Sequence, residues 1–238
     1  MTAPADIRAL AFDVFGTTVD WCGGVAREAE ALLAPKGYRL DWTAFANRWR
    51  SEYQPAMENV RSGKRGYVQM DTLHREMLEP ALAEFGVAGL SNAEKAGFAH
   101  AWRRLDPWPD TVAGMLRLKQ RFTLVACSNA NIALAVEMAK RGGLPWDVIL
   151  GSEFVKTYKP MPAIYDGVVE ALQLAPSQVM MVACHVWDLD AARARGLRTA
   201  FVARPAEYGP GKDGKAPAED AYDIMADSFI DLAGKLGA

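Results

Sequence analysis

Ala9-Leu10-Ala11-Phe12-Asp13-Val14-Phe15-Gly16-Thr17-Thr18-Val19-Asp20-Trp21 decides the fold of this chain. Apolar residues run without interruption up to Asp13, and a small, glycine-bearing turn follows at once. That is how a buried parallel strand ends at the carboxyl edge of an open α/β sheet, where ligands bind. A carboxylate at such an edge serves as a nucleophile, a metal ligand or a strand-end cap. Asp20, at the far side of the turn, is expected to hold the turn or a hinge.

Around this stretch lie 238 residues, half of them hydrophobic, enough for one large domain or a core with a smaller insertion. A net charge of −2 and a pI near 6.0 give no reason to expect a nucleic-acid or membrane partner. Apolar runs such as Val179 to Cys184 are far too short to span a bilayer. Met1 to Arg8 lacks the basic start and apolar core of a signal peptide. The three cysteines, Cys22, Cys127 and Cys184, are odd in number and lack metal-type spacing. Reduced thiols in a cytoplasmic enzyme are the simplest reading.

Residues 22–106 carry apolar side chains at helical spacing over Val25 to Leu33, Trp42 to Met57, Val68 to Phe85 and Ala93 to Leu105. Gly37, the stretch from Ser62 to Gly66 and the stretch from Gly86 to Ser91 break them. The segment reads as a helical cap inserted after the first strand. From Pro107 the pattern alternates. Strands are expected at 122–127, 148–150, 179–183 and 199–202, and helices at 111–120, 132–141, 162–172 and 189–195. This alternation predicts an α/β fold with a doubly wound parallel sheet, its core formed by residues 1–21 and 107–238. Asp13, Ser128-Asn129, Lys159 and the turn from His185 to Asp188 then converge at one sheet edge. Glu207 to Glu219, charged and bearing Gly and Pro, reads as a surface loop or arm with a mobile tip.

Asp13-Val14-Phe15-Gly16-Thr17-Thr18-Val19-Asp20 resembles motif I of the haloacid dehalogenase-like hydrolases, whose first Asp attacks substrate covalently. The phosphatase branch carries a second Asp where Phe15 stands here, so the form resembles the 2-haloacid dehalogenases. Motifs II to IV follow in order, and the resemblance spans essentially the whole chain. It implies a Rossmann-like core with a helical cap. Ser128-Asn129 falls at motif II and Lys159-Pro160 at motif III, with Tyr165 at dehalogenase spacing. At motif IV, magnesium-dependent relatives carry an acidic metal ligand where Cys184 stands, and a thiol is a poor ligand for a hard cation. No metal and no cofactor are therefore expected. Ala183-Cys184-His185-Val186-Trp187-Asp188 resembles a subgroup of these dehalogenases, some of which remove fluoride from fluoroacetate.

The resemblance implies hydrolytic dehalogenation of short 2-haloalkanoic acids, from (S)-halide to (R)-hydroxy acid, through an Asp13 ester. The partner is a small halogenated carboxylate, and a homodimer is expected from the resemblance alone. Lys159 keeps Asp13 ionised, and Asp188 holds Lys159 or orients a water. Two readings fit His185, a base for the ester-opening water or only a hydrogen-bonding group. Two also fit Thr17, a hydroxyl donor to Asp13 or a turn residue. Ser128 and the backbone of Phe15 and Gly16 are expected to hold the substrate carboxylate, and Arg50, Asn129 and Trp187 the departing halide. Ser128-Asn129 also fits the cap of the next helix, with Asn131 the better plain cap. Arg48, Lys156 and Tyr158 are expected at the surface. Two alternatives are a magnesium-dependent phosphatase of a small metabolite and a non-catalytic binding protein of the same fold.

Overall fold

The run before Asp13 forms β1 (Ala9–Phe12), every residue of it buried. Its alternating side chains feed two cores, Leu10 and Phe12 on one face of the sheet, Ala9 and Ala11 on the other. The structure, a computed structural model, describes residues 6–212 and 217–238. After the turn comes β2 (Val19–Asp20), then five helices: α1 (Trp21–Leu33), α2 (Trp42–Ser51), α3 (Tyr53–Arg61), α4 (Met70–Glu84) and α5 (Asn92–Ala99). β3 (Asp106–Pro107) returns antiparallel to β2, pairing Val19 with Pro107 and Asp20 with Asp106.

From there strands and helices alternate: α6 (Thr111–Leu118), β4 (Thr123–Ser128), α7 (Ile132–Gly142), β5 (Val148–Gly151), α8 (Ser152–Val155) and α9 (Pro162–Leu172). They continue as β6 (Val179–Ala183), α10 (Val186–Ala194), β7 (Arg198–Val202), β8 (Ile224–Ala226) and α11 (Phe229–Lys235). The large sheet has the order β5-β4-β1-β6-β7-β8, and each neighbouring pair is parallel. The chain leaves β1 in one direction through β4 and β5 and in the other through β6 to β8. The carboxyl end of β1 is thus the crevice of a doubly wound sheet, as expected. Among the described residues no helix is long and apolar enough to cross a membrane.

Several local expectations need correction. The single helix expected over 42–57 is two, α2 and α3, broken at Glu52. Pro55 explains the break: it has no N–H for the carbonyl four residues back, but is tolerated in the first turn of a new helix. β8 and α11 escaped notice because Ile224-Met225-Ala226 is too short to show a period. Asp20 caps α1 by accepting the Gly23 N–H at 2.8 Å. Asn131 precedes α7 without capping it; its side chain donates to Asp71 at 2.8 Å instead, tying α7 to α4. Tyr158, expected at the surface, is buried and donates to the Val68 carbonyl at 2.6 Å. Lys156 is exposed, while Arg48 pairs with Glu52 and Glu84. The expected tip of the arm at 213–216 lies outside the described residues, as does 1–5 of the N-terminal stretch.

His74, on α4, is buried and stacked on Trp102 at 4.4 Å, with neither ring nitrogen hydrogen-bonded among the described residues. Burial, then the charge of Arg50, holds its pKa well below the ordinary 6.5, so the folded protein keeps this ring neutral. The unfolded chain takes up that proton as pH falls through 6.5, and the folded one does not. His74 therefore costs about 1.4 kcal/mol of stability per pH unit below that point. His74→Phe preserves the stack, removes the unsatisfied nitrogens and is expected to flatten this slope. Urea unfolding of both proteins from pH 7.5 to 5 measures the difference; parallel curves would count against it.

Candidate active site

Three segments bring the charged groups around Asp13 together at the carboxyl end of the sheet. Asp13 follows β1 directly, and its N–H continues the ladder to the Val182 carbonyl at 2.9 Å. Gly16, at φ +91°, turns the chain back, and its N–H donates to the Val19 carbonyl at 3.0 Å. Thr18 Oγ1 donates to the Asp13 carbonyl at 2.7 Å and fixes the turn from the side. Lys159 lies in the loop between α8 and α9, His185 precedes α10, and Asp188 sits in the first turn of α10, where the helix dipole favours an anion.

The Asp13 carboxylate is met by donors. Its Oδ2 accepts from Thr17 Oγ1 at 2.8 Å and faces His185 Nδ1 at 3.0 Å; its Oδ1 accepts from Lys159 Nζ at 3.2 Å. Lys159 Nζ lies closer to Asp188 Oδ2, at 2.5 Å, and Tyr165 donates to Asp188 Oδ1 at 2.7 Å. Burial by itself would raise the Asp13 pKa, but the Lys159 ammonium and the bonds from His185 and Thr17 hold it below the usual carboxylate range. Burial likewise works against the Lys159 charge, and Asp13 and Asp188 overcome it, so the ammonium persists. For Asp188 burial wins over Lys159, and its pKa is raised.

His185 lies between two carboxylates. Nδ1 meets Asp13 Oδ2 at 3.0 Å and Nε2 meets Glu207 Oε1 at 2.9 Å. A ring bonding to carboxylate oxygens at both nitrogens carries a proton on each. Burial opposes that charge. Cys184 and the hydrogen bonds to Asp13 and Glu207 outweigh burial and raise the His185 pKa well above 6.5. Of the two readings of His185, this geometry supports the hydrogen-bonding one.

Glu207 is the site residue that sequence reasoning missed. Expected on a surface arm, it is only 6% exposed and accepts from Trp21 Nε1 at 3.0 Å as well as from His185. Its loop is clamped by Arg204, which donates to the Thr17 carbonyl at 2.8 Å and grips Asp110 at 2.9 and 3.1 Å. A buried carboxylate in a Gly/Pro-bearing loop leaves no periodic signal; only its place after the last long strand, β7, hinted at the crevice. Cys184, His185 and Glu207 offer metal-type donor atoms within 4.8 Å of one another. The His185 nitrogens and Glu207 Oε1 already bond within the protein and Cys184 stays a thiol, so the set fits a hydrogen-bond network better than a cation.

Arg50 stands over the Tyr53 ring, its Cζ 3.6 Å from the centroid, and its buried Nη1 has no hydrogen-bond partner among the described residues. With His185, Trp187 and Tyr208 it lines a cavity of about 360 Å³. Trp187 is exposed there and stacks on His185 at 5.6 Å. Phe15 is buried, its ring edge-on to Tyr53, His74 and Trp102. Asn129 Oδ1 accepts the Lys159 N–H at 2.8 Å, which orients the amide and leaves its Nδ2 as donor. Ser128 Oγ accepts the Ala130 N–H at 3.1 Å and keeps its own hydrogen to donate. Gly16 departs from expectation, because its N–H is bonded to Val19 and is not offered to a substrate carboxylate.

An α/β sheet with a strand-end carboxylate, a lysine held against it and helices packed over its crevice defines a class of hydrolase. Residues 7–196 match the sequence model of the haloacid dehalogenase-like hydrolases, and the chain belongs to that family. It is similar to the solved L-2-haloacid dehalogenase PA0810, 44% identical with a TM-score of 0.92 over 97% of this chain and 99% of that one. The defluorinating L-2-haloacid dehalogenase Rha0230 is 40% identical, with the same TM-score over 100% and 99%. (S)-2-haloacid dehalogenase 1 of Pseudomonas sp. (strain CBS-3) is 28% identical over 219 residues, 85% of this chain and 88% of its own.

Proposed function

We propose that the protein is a metal-independent 2-haloacid dehalogenase acting on short 2-haloalkanoic acids, haloacetates and fluoroacetate among them. The observation that carries this is the surrounding of Asp13. Its carboxylate meets the donors Thr17, Lys159 and His185, while two residues on, where a phosphatase needs an acid, Phe15 contributes a buried apolar ring. Such a carboxylate is poised to attack carbon, and the Phe15 side chain offers no oxygen to share a divalent cation with it.

In this reading Asp13 displaces halide from C2 with inversion, taking an (S)-halide toward the (R)-hydroxy acid, and is left as an ester. Arg50, Asn129 Nδ2 and Trp187 receive the halide. Ser128 and the Phe15 N–H hold the substrate carboxylate, a set that no longer includes Gly16. Water then opens the ester beside Lys159, His185 and Asp188. Residues 22–106 act as a cap over a core of residues 1–21 and 107–238, closing the crevice against bulk water.

Halide release from chloroacetate, fluoroacetate and the two 2-chloropropionate enantiomers, with EDTA present, tests the reading. Release from the haloacetates and the (S) enantiomer is expected. Magnesium-dependent phosphate release from small phosphate esters, with no halide release, would replace it by phosphatase chemistry.

A further inference from the structure

The two oxygens of Asp13 are not equivalent. Oδ2 holds two donors, Thr17 at 2.8 Å and His185 at 3.0 Å, while Oδ1 holds only Lys159, at 3.2 Å and drawn toward Asp188. An oxygen with two firm donors has its lone pairs engaged and is the poorer nucleophile. The same donors suit it to carry the charge that appears when a carbonyl is attacked. His185 can serve only if its Nδ1–H stays on Oδ2, and the residue fixing the ring from behind is Glu207. Glu207 is itself held without slack: a Cβ at Gly16 would stand 2.3 Å from its Oε1, so the carboxylate packs directly on the turn after Asp13.

We propose that Glu207 is a positioning residue. By binding Nε2 it keeps His185 with Nδ1–H on Asp13 Oδ2, so that Oδ1 attacks carbon and Oδ2 becomes the oxyanion when water opens the ester. The proposal rests on the dehalogenase reading. In the first step an Oδ1 lone pair forms the bond to C2, and halide departs with the C–X electron pair. In the second, water oxygen bonds to the Asp13 carbonyl carbon and the carbonyl π pair moves to Oδ2, beneath Thr17 and His185. The pair returns as the bond from carbon to Oδ1 breaks. One water proton goes to the product hydroxyl, the other to solvent, and Asp13 is again a carboxylate. Glu207 therefore matters to the second step far more than to the first.

The groups facing His185 are Asp13 after β1, Cys184 after β6, and Glu207 and Tyr208 after β7; Arg50 of α2 acts on it through Glu207. Cys184 and the two carboxylates favour its charged form, and the carboxylates do so by direct bonds to the two ring nitrogens. Glu207→Gln keeps the shape and removes one of these carboxylates.

The experiment is rapid-quench halide release from chloroacetate by wild type and Glu207→Gln, with intact-mass detection of the Asp13 ester. The variant is expected to give a burst of halide equal to the enzyme present, then slow turnover with the ester accumulated. Ester hydrolysis should slow by about tenfold or more, toward the roughly 10²–10³-fold that loss of an oxyanion donor costs. The burst rate should stay within about threefold, as the attacking oxygen is untouched. No burst, or equal slowing of both steps, overturns the proposal. His185 imidazole signals in the wild type give a reading that needs no variant. They are expected to stay those of a doubly protonated ring well above the ordinary histidine value, and a ring titrating near that value would overturn the proposal too. A wild type releasing no halide overturns the dehalogenase reading instead, so the two failures are distinct.

Discussion

Asp13→Asn is expected to lose at least about 10⁴-fold in turnover on every 2-haloacid, because the attacking lone pair belongs to the carboxylate and nothing nearby can replace it. Lys159 is held as an ammonium and His185 as an imidazolium; neither is a nucleophile in that state. The fold should survive, since Lys159 keeps Asp188 at 2.5 Å and an amide oxygen can still accept from Thr17. The check is halide release alongside thermal melting. In the wild type, a single turnover in ¹⁸O-water should place the label in Asp13 rather than in the first product. Label in the first product would mean direct displacement by water and would overturn the ester route.

Lys159→Met is expected to remove activity by about 10³-fold or more and also to destabilise the protein by about 3–5 kcal/mol, the range for breaking a buried ion pair from one side. Lys159 is fully buried between Asp13 and Asp188, and without it two carboxylates face each other with no cation between them. Both carboxyl pKa values then rise above their unfolded values. The folded variant takes up protons before the unfolded chain does, so its deficit should shrink as pH falls from 8 toward 5. Urea unfolding of wild type and variant at both pH values measures this. A deficit that stays constant, or grows at low pH, would mean the ammonium is not what keeps these carboxylates charged.

What could be read in the sequence follows from where the information lies. β1 and the turn after it are local, an apolar run, a carboxylate and a glycine within eight residues, so Asp13 was legible, and the bond from Thr17 to it is one of the two readings that Thr17 allowed. Lys159, Tyr165 and Asp188 were legible only through the resemblance of their motifs, and of the two roles expected for Asp188 the structure shows its bond to Lys159. Glu207 was not. Its neighbours Trp21 and His185 are 186 and 22 residues away in sequence, and only the packing of its loop against the Asp13 turn brings the three together. The Gly16 N–H failed as an expected donor for a related reason: whether it is free depends on a turn bond to Val19 that residue identity does not reveal. Tyr158 reads as polar surface until its hydroxyl finds the Val68 carbonyl on the loop before α4.

The ribbon of β2 and β3 is only two residues wide, yet both passages of the chain between the sheet and the five helices run through it side by side. Away from that ribbon Phe15 packs on Tyr53, His74 and Trp102, and beside this apolar contact lies a polar catch: Arg61 of α3 donates to the Lys159 carbonyl at 2.7 Å, Tyr158 to Val68, and Gln69 to Glu153 at 2.7 Å. The catch closes on the backbone of the residue whose ammonium faces Asp13. Arg61 touches neither carboxylate, yet through the Lys159 backbone it stands one residue away from the ammonium that faces both Asp13 and Asp188.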